Sequence, residues 1–227
     1  GFTIAETNGS TSVSESGTTD TFTVVLDAEP ASDVVLTITS GDTGEATVNS
    51  PLTFTSANWD TAQTVTVTGA DDDIIDGTVA STLTISIVDA SSDNDFDAVA
   101  DQTVSVTTTD DDVAGFTIAE TGGSTSVSES GTTDTFTVVL DAQPNSPVVI
   151  ALISSDTGEA TALGVGVTNS LTFTSTNWDT PQTVNVTGVD DDIIDGSVSS
   201  TATITIVDAN SDDDFDSVAD QTVSVTT

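Results

Sequence analysis

The chain spells out most of its sequence twice. GFTIAETNGSTSVSESGTTDTFTVVLDAEP at residues 1–30 returns as GFTIAETGGSTSVSESGTTDTFTVVLDAQP at residues 115–144, an offset of 114. LTFTSANWDTAQTVTVTGADDDIIDG at residues 52–77 returns in near-identical form at residues 171–196, an offset of 119. The difference, 119 − 114 = 5 residues, is an insertion between Thr157 and Leu171, where Ala162-Leu163-Gly164-Val165-Gly166 reads as loop. Whatever one copy folds into, the other must fold into as well. The 227 residues therefore make two domains, 1–112 and 113–227. At about 110 residues each can bury one ordinary core. Near-identical tandem copies stack end to end. The chain is expected to be two units of a longer series, with Gly1 following another acidic run and Thr227 preceding one.

Charge is the second constraint. The chain has 38 Asp plus Glu and no Lys, Arg or His, for a net charge of -38. No side-chain cation exists to pair with any carboxylate. Such a charge usually signals disorder, but here the apolar residues alternate in clean runs, which calls for strands. With no Cys there is no disulfide. With no Lys, a Lys–Asn isopeptide bond is excluded too. Metal and packing remain as sources of stability. No apolar run approaches the ~20 residues that span a bilayer. Nucleic acid and anionic membrane surfaces are repelled. The partners left are cations, other copies bridged by cations, and neutral or basic surfaces.

Period-two runs bounded by Gly, Pro, Asp and Ser predict seven strands in the first copy. They cover residues 2–5 with 12–14 (one split strand), 21–27, 33–39, 52–55, 63–68, 81–88 and 102–109. The predicted inward faces are Phe22, Val24, Leu26; Val34, Leu36, Ile38; Leu52, Phe54; Val65, Val67; Leu83, Ile85, Ile87; and Val104, Val106. Short strands with one apolar face each predict an all-β chain of two antiparallel β-sandwich domains end to end. The outward Thr rows read as exposed strand formers, with an ice- or glycan-binding array as the alternative. Trp59 and Trp178, in Asn-Trp-Asp segments, read as plugs at the end of each sandwich, with sugar binding as the alternative.

If strands alternate in direction, four acidic segments share one pole of the first domain. These are Glu15 and Asp20, Asp42 and Glu45, the run Asp71, Asp72, Asp73 with Asp76, and the terminal Asp110, Asp111 and Asp112. Two carboxylates about 4 Å apart repel by roughly 4 kcal/mol at an effective dielectric near 20. Convergence of four such segments with no basic residue anywhere points to a Ca²⁺ site; a solvated acidic surface is the alternative. The opposite pole carries Asp93, Asp95 and Asp97, repeated as Asp212, Asp214 and Asp216, with the alternate spacing of a calcium loop opening. The alternative there is a solvated turn. In an end-to-end array two acidic poles would meet, so Ca²⁺ is expected at the junction.

Residues 52–77, with a TF strand, a polar turn, QTVTVTG and DDDIIDG, resemble the signature of Calx-β domains. Val13-Ser14-Glu15 and Asp110–Asp112 fit the same pattern. The resemblance covers nearly all of each repeat, specifically in DDDIIDG and the terminal run, loosely elsewhere. It implies immunoglobulin-like sandwiches that bind Ca²⁺ at one pole. By that resemblance the ligands are Glu15, Asp42, Asp71, Asp72, Asp76 and Asp110–Asp112, and in the second copy Glu129, Asp156, Asp190, Asp191 and Asp195. Asp73 and Asp192 complete the two runs. Asp76 and Asp195 stand where the family usually has Glu, a shorter reach that calls for a water or a weaker site. The run matching Asp110–Asp112 would lie beyond Thr227, so the second site is expected to be incomplete in this chain.

The function expected is structural: a segment of a long extracellular or cell-surface fibre, stalk or adhesin, stiffened by Ca²⁺, with other repeats or copies as partners. A module binding glycans or another surface is the alternative. An enzyme is not expected, because paired carboxylates sit in duplicated loops with no groove implied. Acidity for halophile hydration would spread over strand faces, whereas here it gathers in loops.

Overall fold

The alternation of apolar and hydroxyl residues becomes strand at each place it occurs, and the apolar parity turns inward. The computed structural model describes residues 1–163, 169–190, 192–194 and 196–227. The chain divides into two units. Unit 1 is Gly1–Asp72 with Asp76–Asp111, and unit 2 is Asp73–Ile75 with Asp112–Thr227. Unit 1 holds β1 (Phe2–Glu6), β2 (Thr11–Ser14), β3 (Thr19–Leu26), β4 (Val34–Ser40), β5 (Ala46–Val48), β6 (Leu52–Phe54), β7 (Gln63–Gly69), β8 (Val79–Ile87) and β9 (Gln102–Thr109). They form one sheet ordered β1-β3-β7-β5 and a second ordered β2-β9-β8-β4-β6. Unit 2 holds β10 (Phe116–Glu120), β11 (Thr125–Ser126), β12 (Thr133–Leu140), β13 (Val148–Ser154), β14 (Ala160–Leu163), β15 (Ser170–Phe173), β16 (Gln182–Gly188), β17 (Ser199–Ile206) and β18 (Gln221–Thr226). Its sheets repeat the order, β10-β12-β16-β14 and β11-β18-β17-β13-β15. The chain is all-β, two β-sandwich units in tandem.

Between the sheets of unit 1 lie Phe22, Val24, Val34, Leu36, Phe54, Val65, Val67, Leu83, Ile85 and Val106, all fully buried. Burial of each large side chain contributes roughly 1.5–3 kcal/mol. Ile87, expected inside, is only half-buried at the end of β8 and packs against the core edge. Trp59 and Trp178 are half-buried against their own cores, as plugs would be.

Two expectations need correction. The sandwiches are not wholly antiparallel: β2 runs parallel to β9, and β11 parallel to β18. The cause is the split first strand. After β1 the turn at Thr7–Gly9, with Asn8 at φ 58°, moves the chain to the other sheet without reversing it. The second correction concerns the insertion. Ala162 and Leu163 belong to β14, which pairs with β16, and are not loop; residues 164–166 lie outside the described residues. β14 and its counterpart β5 are strands too short to show a period.

Charge is sorted by position. Among the described residues the strands hold four carboxylates: Glu6, Asp20, Glu120 and Asp134. Each accepts hydrogen bonds that tie the split first strand. Thr11 Oγ1 donates to Glu6 Oε2 at 2.8 Å, and Ser12 N–H donates to Asp20 Oδ2 at 2.9 Å. The remaining acidity falls in loops, where strand order brings it together.

Candidate metal centre

In unit 1 the pairing of strands decides which carboxylates meet. Glu15 directly follows β2, and Asp110 directly follows β9. Because β2 and β9 are parallel neighbours, both leave the sheet at the same end. Glu15 N–H donates to Thr109 O at 3.1 Å. Glu45 directly precedes β5, which pairs with β7 so that Ala46 lies opposite Gly69. That register sets Glu45 beside the start of the Asp71–Asp76 loop, and Ala70 N–H donates to Glu45 O at 2.9 Å.

Two local devices fix this arrangement. A Cβ on Gly69 would stand 1.9 Å from Ser14 O, so only glycine lets β7 pass this close to the residue before Glu15. Gly188 meets Ser128 O in the same way in unit 2, at 2.1 Å. The second device is Asp110. Its Oδ2 accepts from Asp76 N–H at 3.1 Å and Gly77 N–H at 2.9 Å, clamping the loop to the end of β9.

One carboxylate oxygen from each of Glu15, Glu45 and Asp76 lies within 4.8 Å of the others. Glu15 is 1% exposed and Glu45 5%. Both oxygens of Glu15 and Oε2 of Glu45 are buried with no hydrogen-bond partner. A buried carboxylate without donors is costly, and a pair at such separations repels by roughly 3 kcal/mol. The Glu15 carboxyl responds by rising to about 7, through burial first and then through Asp110, Asp72, Asp76 and Glu45. Glu45 is raised by burial and by Asp76, Asp42 and Asp72, against a lowering hydrogen bond from Thr108. Asp76, although exposed, is raised by partial desolvation of its carboxyl and by Asp72, Asp110 and Asp42. The orphaned oxygens of Glu15 and Glu45 at strand ends, with the exposed Asp76 of the β7–β8 loop beside them, are an oxygen-only set that could hold a metal ion.

The convergence expected of the four acidic segments is therefore present within unit 1. Glu15, Asp72, Asp76 and Asp110 are part of it. Asp42 acts on Glu45 and Asp76, while its Oδ1 accepts from Gly44 N–H at 3.0 Å. Asp71 and Asp111 are exposed. Asp73 and Asp112 belong to unit 2. Glu45 was absent from the candidate ligands although it is among the most buried carboxylates. The signal for it was Asp-Thr-Gly-Glu-Ala-Thr, which recurs unchanged with Glu159.

In unit 2 Glu159 is 5% exposed, whereas Glu129 is only half-buried where Glu15 is enclosed. Asp156 Oδ1 accepts from Gly158 N–H at 3.0 Å, as Asp42 does from Gly44. Asp190 is exposed, and Asp192 is exposed with φ 64°. Asp191 and Asp195 lie outside the described residues.

The loops between β8 and β9 and between β17 and β18 use their acids differently. Asp93 Oδ2 accepts from Ala31 N–H at 2.7 Å and Ser32 N–H at 2.9 Å, and its Oδ1 from Asp95 N–H at 3.0 Å. Those bonds, chiefly the one from Asp95, hold its carboxyl below the usual range. Asp212 repeats the arrangement with Ser146 N–H at 2.5 Å and Asp214 N–H at 3.3 Å. Asp95, Asp97, Asp214 and Asp216 are exposed. The Asp216 carboxyl is nonetheless raised, by partial desolvation among its neighbours and by the charges of Asp208, Asp213 and Asp212. Among the described residues these loops contribute no member to a group of three carboxylates within 4.8 Å.

No family model matches the sequence, and no curated protein matches it. Solved structures do. CBD12 from CALX1.2 aligns at a TM-score of 0.33 and 16% identity, over 89% of this chain and 79% of that one. The calcium binding domain CBD12 of CALX1.1 aligns at a TM-score of 0.35 and 17% identity, over 89% and 80%. Domains 1–6 of the surface layer protein SbsC align at a TM-score of 0.40 and 17% identity, over 99% of this chain and 27% of that one. Its own four sheets make this chain two tandem β-sandwiches.

Proposed function

We propose that the chain is a structural segment of a long extracellular fibre, stalk or adhesin, in which Ca²⁺ bound at the acidic pole of each repeat stiffens the array. The observation that carries this reading is the pair Glu15 and Glu45, buried with oxygens that no protein donor satisfies, in a chain with no basic side chain. An all-oxygen set without His or Cys disfavours zinc and copper. Ca²⁺ takes 6–8 oxygens in adaptable geometry, which loops can supply, whereas Mg²⁺ keeps its water. Glu15, Glu45 and Asp76 form the centre, with Asp72, Asp110 and Asp42 around it. Glu129, Asp156, Glu159 and the Asp190–Asp195 run are the corresponding set in the second repeat. Asp93 and Asp212 stay outside it, since backbone N–H groups occupy them. Extracellular modules bind Ca²⁺ at about 10⁻⁴–10⁻³ M, which suits a site with one short Asp in place of Glu. Partners are further repeats or copies of the chain.

Calorimetric titration of the whole chain, with Mg²⁺ as control, tests the metal. Binding of Ca²⁺ that is lost in Glu15→Gln with Glu45→Gln supports the reading, and no binding at millimolar Ca²⁺ overturns it. Scattering from a longer array tests the stiffening. A maximum dimension unchanged by chelator counts decisively against it.

A further inference from the structure

A sheet edge presents N–H and C=O groups that invite another strand. The two sheets of unit 1 have four edges, and side chains close three of them. Gln102 Nε2 donates to Phe2 O on β1 at 2.6 Å, and Gln63 Nε2 donates to Thr53 O on β6 at 2.8 Å. On β2, Ser12 N–H donates to Asp20 Oδ2, and Ser14 N–H to Thr18 Oγ1 at 2.7 Å. The fourth edge, β5, is different. Ala70 N–H donates to Glu45 O and Asn49 N–H to Thr66 O, so residues 45, 47 and 49 face β7 while 46 and 48 face outward. Ala46 N–H donates to Asp42 O at 3.2 Å. Among the described residues no hydrogen bond reaches Val48 N–H or Val48 O.

Beyond this edge lies a groove of about 390 Å³, lined by Ile38, Thr39, Ser40, Thr43, Thr47 and Val48, all of unit 1. Its far wall is the end of β4. Gly41 N–H donates to Thr82 O, so Thr39 faces β8, and Ile38 and Ser40 turn their backbone toward the groove. The pairing with β6 stops at Leu36, and Ile38 N–H is capped by Ser50 Oγ at 2.9 Å. The floor is apolar, with Ile38 buried and Val48 half-buried. Unit 2 is more closed at the same place. Its groove is about 240 Å³, Ser154 Oγ donates to Ala160 O at 2.7 Å, and Leu152 N–H donates to Asn169 O at 2.9 Å.

We propose that the β5 edge of unit 1 takes up an extended, lysine- or arginine-bearing segment of another protein, which joins the sheet as a further strand. Main-chain bonds to Val48 supply affinity, and apolar side chains at alternate positions of the segment reach Ile38 and Val48. Charge decides the occupant. The chain carries 38 acids and no basic side chain, and exposed Asp42 lies between Ser40 and Thr43 of the lining. Without a bridging cation a second copy is repelled, and a basic segment is attracted. The inference stands apart from the metal reading, since the lining includes none of Glu15, Glu45 and Asp76.

Fluorescence anisotropy of a short labelled peptide of alternating lysine and valine, titrated with the full chain in chelator at about 0.15 M salt, tests this. Saturable binding is expected, and about tenfold weaker binding of the matching glutamate–valine peptide. Val48→Pro removes the free N–H without touching a bond to β7 and weakens binding about tenfold. Thr47→Lys, on the exposed rim, sets a like charge beside the peptide and also weakens binding, so a proline variant that folds poorly leaves the test intact. No saturable binding overturns the proposal. Binding that Thr47→Lys and a folded Val48→Pro both leave unchanged overturns it too, as attraction to the acidic surface at large. Self-association that Thr47→Lys alters, with no peptide binding, gives the edge to a second copy and overturns the basic partner.

Discussion

Glu15 offers a prediction whose sign changes with metal. Its carboxyl titrates near 4.5 when unfolded and at about 7 in the fold. A raised folded value means that the folded state keeps a proton the unfolded chain has released. The resulting stability is full below pH 4.5 and is lost as pH rises through about 7. The difference, 7 − 4.5 = 2.5 units, at about 1.36 kcal/mol per unit gives about 3 kcal/mol. Metal-free unit 1 should therefore be less stable at pH 8 than at pH 5 by about that amount from Glu15 alone. Glu15→Gln removes the charge, so in chelator at pH 8 it should be the more stable protein, and near pH 4.5 the two should converge. In Ca²⁺ at about 1,000 times Kd the order should invert, because the native chain then gains about 4.1 kcal/mol, more than the cost of the buried charge, and the variant has lost a ligand. Each unit carries one tryptophan, so urea unfolding read by Trp59 fluorescence in a Trp178→Phe background isolates unit 1. A variant less stable than the native chain in chelator at pH 8, or a flat pH profile, would refute the account of Glu15 as an uncompensated buried acid.

Three further outcomes are expected. Gly69→Ala should destabilise unit 1 and weaken Ca²⁺ binding together, because its Cβ would displace the Ser14 backbone that carries Glu15; calorimetry and Trp59 unfolding read both. Asp93→Ala should lower the unfolding midpoint of unit 1 with Ca²⁺ affinity unchanged, since three backbone N–H groups lose their acceptor. Its depressed carboxyl stabilises above the unfolded pKa, and that contribution should fade as pH falls through the folded one. Glu45→Gln should reduce Ca²⁺ affinity by an order of magnitude or more in titration, as expected for a buried ligand oxygen, while raising metal-free stability near pH 8.

Strand parity was legible because each apolar residue of the core sits two positions from the next. Phe22, Val24 and Leu26 needed only that rule. The acidic pole was legible from alternation of strand direction, which put Glu15, Asp72, Asp76 and Asp110 at one end. Glu45 was placed at that pole but not among the ligands, because its position beside Glu15 depends on β5, and Ala46–Val48 is too short to display a period. The role of Asp93 was hidden for a different reason. Asp at alternate positions suits both a calcium loop and a carboxylate that caps backbone N–H groups, and only the position of Ala31 and Ser32 in space separates the two. The parallel placement of β2 could not be read from residues that alternate identically in either direction.

The parallel pair bears on how such a chain carries load. β2 lies near the start of unit 1 and β9 at its end, and they point the same way. Tension applied to the two ends pulls these neighbours along their length in opposite senses. Their hydrogen bonds are then loaded in shear and must fail together, where an antiparallel hairpin would open one rung at a time. In unit 1 the clasp joins Thr11–Ser14 to Val106–Thr109, and in unit 2 Thr125 and Ser126 pair with Val225 and Thr226 in the same sense, with Val127 N–H donating to Thr226 O at 2.9 Å. Each repeat thus closes on a clasp that resists extension along the line of pull.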